Sequence, residues 1–167
     1  MSLFQICQWL NDTAPATALR ESDLAFPVVE SIHVLAIALM AGTVSIVDLR
    51  LLGVALKKEP VTEVAGQVLR LTWAGFVVMA VTGIMLFASE AAKLYANPAF
   101  RIKLVLLALA GLNPLLFHST IYRTVGAWDD APRTPRRARI AAFCSLALWT
   151  AIIVTGRAIA YWRPAAG

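Results

Sequence analysis

The chain has 167 residues, 59% of them hydrophobic, and a mean hydropathy of +0.71. That composition belongs to the membrane class and suits one bundle, with no Pro-rich, Gly/Ser-rich or repeated stretch marking a second domain. The net charge of +5 sits in short segments between apolar runs, where basic residues orient a chain in a bilayer, so nucleic-acid binding is set aside.

The first residues, MSLFQICQWLNDTAPATALRESD, lack a basic region followed by an apolar one and do not read as a cleaved signal peptide. Leu3, Ile6, Trp9 and Leu10 share a helical face, which predicts a short interfacial helix over 2–10.

The first span is predicted over 26–49, since ~20 apolar residues at ~1.5 Å rise cover a hydrocarbon layer of ~30 Å. Along it Glu30, His33, Ile37, Met40, Ala41, Val44 and Asp48 recur at steps of three or four and form one stripe. Ionisable groups are costly in lipid, so the stripe is expected to face other helices. Residues 53–70, with Lys57, Lys58, Glu59, Pro60 and Glu63, read as a loop ending in an amphipathic turn.

The second span, 71–88, carries a narrow face of Gly75, Met79, Thr82, Gly83 and Leu86, suited to close helix approach. Asn97-Pro98 is a turn signal before the third span, 102–122. One face of that span is drawn through Leu107, Ala110, Gly111, Pro114 and His118. Pro114 should kink it, leaving Asn113 to serve the freed Ala110 carbonyl or a neighbouring helix. The fourth span, 140–161, holds Arg157 near its end.

The expected fold is therefore an all-α integral membrane four-helix bundle forming a single domain. Nine basic residues flank the first and third loops: Arg50, Lys57, Lys58, Arg70, Arg123, Arg133, Arg136, Arg137 and Arg139. Six lie on the other side: Arg20, Lys93, Arg101, Lys103, Arg157 and Arg163. The positive-inside rule then puts both termini on the outer, periplasmic side of a bacterial inner membrane. Cys7 and Cys144 fall at opposite depths, too far apart for a disulfide.

Depth sorts the polar residues into two clusters. Glu30, His33, Met85, Glu90, Lys103 and Arg157 lie toward the outer face, and Asp48, Arg50, Arg70, Thr72 and His118 toward the inner. An imidazole facing a bundle interior is the usual ligand of b-type haem, with basic side chains matching the propionates. On this reading His33 and His118 are axial (metal) ligands, and Arg50, Lys103 and Arg157 bind the haem as charge partners. The two histidines differ by ~13 Å in depth, so one shared haem requires tilted helices; two sites, or sites completed in a homo-oligomer, satisfy the spacing equally.

The bland alternative pairs His33 with Glu30 and His118 with Asp48 in a cofactor-free binding or transport protein. In it Glu30, His33, Asp48, Arg157 and His118 form ion-pair networks or a proton path. A third reading is a copper or other metal carrier using His33 with Met40, Met79 and Met85. Glu30-x-x-His33 is also half of a di-iron carboxylate motif, which a second copy would have to complete.

Two stretches, ESIHVLAIALMAGTVSIVDLRLLG and NPAFRIKLVLLALAGLNPLLFH, with TGIMLF of the second span, resemble a family of uncharacterised bacterial four-span membrane proteins. A more distant likeness is to the membrane proteins that oxidise protoporphyrinogen and to the copper-resistance D proteins. The residues matching their pattern are His33, Arg50, Lys103 and His118. That likeness implies histidine-ligated haem b and, in the first group, two-electron oxidation of a porphyrinogen; the expected partners of the chain are the lipid bilayer and a quinone or another redox partner. The chain departs from it in carrying DLRLLG where those proteins have an aromatic-rich run, with no histidine after it.

Overall fold

The computed structural model describes residues 2–129, 131 and 134–161; Arg133 and Arg163 of the basic segments lie outside the described residues. Ser2 opens the chain with a capping box, its hydroxyl accepting from the Gln5 amide while the Gln5 side chain accepts from Ser2, and α1 (Leu3–Asn11) follows. Leu3, Ile6 and Trp9 point outward along it. A second short helix, α2 (Ala14–Arg20), comes next; the Arg20 guanidinium donates to the carbonyls of Asn11 and Ser89 at 3.0 and 2.9 Å, tying both helices to the bundle end.

The first span is α3 (Ala25–Leu52), ended by Gly53 at φ 71°, a left-handed position that glycine occupies without a Cβ penalty. The second is α4 (Val61–Ser89). It begins ten residues earlier than hydropathy placed it, because the polar turn around Glu63 and Gln67 continues the same helix. After α5 (Ala91–Ala96), Asn97 caps α6 (Pro98–Leu116), accepting from the Ala99 and Phe100 amides. Past Pro114 the helix widens to a π-turn over Phe117–Ile121 and tightens to a 3₁₀ turn over Tyr122–Ala127. The last span is α7 (Arg136–Ile159).

All four long helices are apolar enough to cross a membrane, at 28, 29, 30 (Pro98–Ala127) and 24 residues. Their outward faces carry Leu35, Ile84, Leu115 and Phe143, a surface fit for lipid contact. The sequence places α3 between α4 and α7, and α7 against α6. At the far sides of this arrangement α4 and α6 meet through side chains, with Phe87 stacked on Phe100 at 5.5 Å. Both cysteines are free, Cys7 half-buried and Cys144 exposed.

Two apolar layers fill the centre. Met40, Ala41, Met79, Leu106, Ala110, Trp149 and Ile152 form one; Leu51, Val61, Phe117, Trp128, Ala138 and Ala142 form the other, toward the loop end. The inward face of the third span therefore runs Lys103, Leu106, Ala110, Asn113 and Phe117. The face drawn through His118 is one position off at this end, because Phe117 packs into the second layer and His118 turns outward.

The closest helix contact is at Gly75. A Cβ there would stand 3.1 Å from the Met40 amide nitrogen and 3.3 Å from the Ala36 carbonyl, backbone atoms that cannot swing aside. Gly75→Leu is expected to lower stability by about 1–3 kcal/mol, whereas Gly42→Leu, with nothing within 4 Å, leaves it unchanged. Thermal unfolding of both variants in detergent checks this.

Candidate functional site

Helix periodicity brings one polar group from each of α3, α4 and α6 to the same level, two turns inside the end that carries α1. His33 of α3 faces Thr82 of α4, with Nδ1 2.8 Å from the Thr82 Oγ1. Gly83 makes room for the ring: a Cβ there would meet the imidazole Cε1 at 3.0 Å. Lys103 of α6 lies close enough for its charge to act on His33, and its ammonium runs past Gly156 of α7, where a Cβ would come 3.5 Å from Nζ. All four spans thus shape one site.

The hydrogen bonds set the tautomer of the ring. Thr82 has one hydroxyl hydrogen and gives it to the Val78 carbonyl, 2.6 Å away in its own helix. Its oxygen is left to accept, so His33 donates Nδ1–H. A neutral imidazole held in this way keeps its lone pair on Nε2. Lys103, for its part, has no hydrogen-bond or carboxylate partner among the described residues, where the one ion pair is Lys93 with Glu90 at the surface.

The other predicted site residues lie elsewhere. Glu30 is exposed and makes no contact with His33, whose partner is Thr82. Arg157 is exposed and folds back on Tyr161, donating to its hydroxyl at 3.1 Å with the guanidinium over the ring. His118 is exposed at the opposite end, its ring against Tyr122 at 4.7 Å. Met40 and Met79 pack in the first apolar layer, while Met85 faces outward. Asn113 serves a neighbouring helix, donating to the Ala141 carbonyl at 3.1 Å.

Arg50 is 2% exposed, and its guanidinium is committed to backbone: Nε donates to the Glu59 carbonyl at 2.6 Å and Nη2 to the Asp129 carbonyl at 3.2 Å. Beside it, the Asp129 carboxylate accepts from the Thr62 amide at 2.9 Å and from the Thr62 hydroxyl. This lock joins the loop after α3, the start of α4 and the segment before α7.

A haem bound by His33 and His118 with Arg50, Lys103 and Arg157 around it would need those five residues near one centre. The chain brings only His33 and Lys103 together, so the set does not fit a single intrachain haem. Among the described residues no three of His, Cys, Asp and Glu gather as a metal-ion site. Thr82 was visible in the sequence as part of the narrow face of the second span. The Thr62–Asp129 contact links residues 67 positions apart and had no sequence signal.

The chain belongs to a family of unknown function (DUF6644), whose sequence profile matches residues 24–162. No curated protein and no solved structure matches it.

Partial burial raises the Asp129 carboxyl, but the Thr62 bonds, the Val61 amide and the Arg50 charge more than offset this and hold it below the usual carboxylate range. A carboxyl with a depressed folded value stabilises the fold fully above its unfolded value of ~3.9, and that contribution is lost as pH falls through the folded value. Proteolysis of the 122–135 segment is therefore expected to accelerate below pH ~4 in the wild type, and Asp129→Asn should flatten that dependence.

Proposed function

We propose that the chain is a small multi-pass binding protein of a bacterial cytoplasmic membrane, and that His33 and Lys103 are the polar end of its ligand site. The observation that carries this is a pair of unused functions at one level among the described residues: a free Nε2 lone pair and an ammonium with no anion beside it. An uncompensated cation among packed helices is costly, and a ligand that supplies an acceptor oxygen removes the cost.

The ligand class follows from that pair. Nε2 takes a hydrogen from a protic oxygen, and Lys103 donates to, or neutralises, the same head group. A lipid-soluble molecule with a hydroxyl or acid head group suits both: a quinol, a phenol or a carboxylic acid. It reaches the site from the hydrocarbon, where the α4–α6 side is bridged by side chains and not by close backbone packing. The basic end of the bundle, with Lys57, Lys58, Arg123, Arg136, Arg137 and Arg139, faces the cytoplasm, so the site lies in the outer leaflet with both ends of the chain outside.

A second reading rests on the anchored imidazole. A ring fixed through Nδ1 with Nε2 free is the arrangement of a metal-ligating histidine, so His33 is suited to hold haem b or a copper ion in a homo-oligomer in which a second copy completes the coordination. His33 would supply one ligand, and the metal would supply redox chemistry when bound.

Titration of the protein in bilayer discs with a reduced short-chain quinone, a phenol and a fatty acid, read by quenching of tryptophan fluorescence, separates these outcomes. Saturable binding of one of them, weakened ~10–100-fold in His33→Leu and in Lys103→Met, is expected from the loss of a charge-assisted hydrogen bond. Equal binding by both variants, or no saturable binding of any of the three, overturns the reading. A Soret band or bound metal that disappears in His33→Leu selects the second.

A further inference from the structure

Asp48 takes no part in that site. It lies fifteen positions beyond His33 on α3, ~22 Å away along the axis. It is 6% exposed, and its Oδ2 has no hydrogen-bond partner among the described residues. Ser145 of α7, itself 8% exposed, stands beside the carboxyl. Because α3 and α7 run antiparallel, the pair is sandwiched between apolar contacts: Leu51 with Ala142 on one side, Ala41 with Trp149 on the other.

Among the described residues no cation compensates an ionised carboxylate here. Arg50, two residues on, is taken by the Glu59 and Asp129 carbonyls. Arg70 of α4, His118 beyond α6 and Arg139 of α7 are all exposed. A bare charge in such a seam costs several kcal/mol, so something positive must sit on Oδ2. Metal cations demand a shell of several oxygens, whereas the seam offers a carboxyl and one hydroxyl. A proton needs only the free oxygen.

We propose that Asp48 and Ser145 form a proton-exchange site in the α3–α7 seam, with the proton resident on the unpartnered Oδ2. Taking up the proton forms the Oδ2–H bond and neutralises the carboxylate; releasing it to the aqueous phase restores the charge, and no other bond changes. Asp48 stands four residues from the end of α3, so the aqueous phase is about one helical turn away and the proton can exchange with it. This claim is independent of the ligand site at His33.

Infrared difference spectra of the full chain in bilayers, titrated from acidic to alkaline, test it. The expected result is a carboxylic-acid carbonyl band at neutral pH that vanishes on alkaline titration, is absent from Asp48→Asn and shifts in Ser145→Ala. The serine variant keeps the test valid if Asp48→Asn does not fold. A band that never appears, one that persists unchanged to alkaline pH, or one that ignores Ser145→Ala overturns the proposal. Loss of the band on adding sodium at fixed pH also overturns it, since the site then belongs to that ion.

Discussion

Hydrocarbon offers a polar group no water, and that constraint orders this bundle. Thr43, Thr72, Thr82, Thr150 and Thr155 each return a hydroxyl to a carbonyl of their own helix, and two cross-helix contacts are built on them: Thr43 with Thr72, and Thr82 with His33. The spans are held in register by these few contacts, by the Gly75 approach and by the Asn113 bond to α7. Among the described residues Lys103 and one oxygen of Asp48 fall outside the pattern, without a partner.

The two ends of the bundle meet the constraint differently. Where the loops are basic, Arg50 is buried but spends its donors on the carbonyls of two connecting segments, and Asp129 is clamped by Thr62. That end is built for rigidity. At the other end His33 and Lys103 are half-buried, and among the described residues no carboxylate pairs with either.

The spans were legible because four apolar runs of sufficient length have one solution in a bilayer, and the inward stripe of α3 was readable from His33 to Asp48 because its period is strict. Glu30 breaks the stripe because it lies within two turns of the helix start, where water is close and no partner is needed. The inner part of the third span was misjudged by one position: His118 drew the face toward itself as the polar residue, while the larger Phe117 is what the second apolar layer accepts. Arg50 looked like a ligand partner because depth alone cannot show that a loop carbonyl nine residues away will fold back over it. The Lys103–His33 meeting was half legible, since their depths agreed and Gly83 stood on the narrow face of the second span, but Gly156 of the fourth span carried no signal of its own.

The account turns on the imidazole of His33 being fixed through Nδ1 with its Nε2 lone pair unused. With only two histidines in the chain, nitrogen-15 NMR of the histidine-labelled protein in bilayers resolves both rings, and His118→Gln assigns them. The account predicts a His33 signal with protonated Nδ1 and bare Nε2 at neutral pH, and loss of that preference in Thr82→Val. A His33 ring protonated at Nε2, or one whose tautomers are unaffected by Thr82→Val, would contradict it.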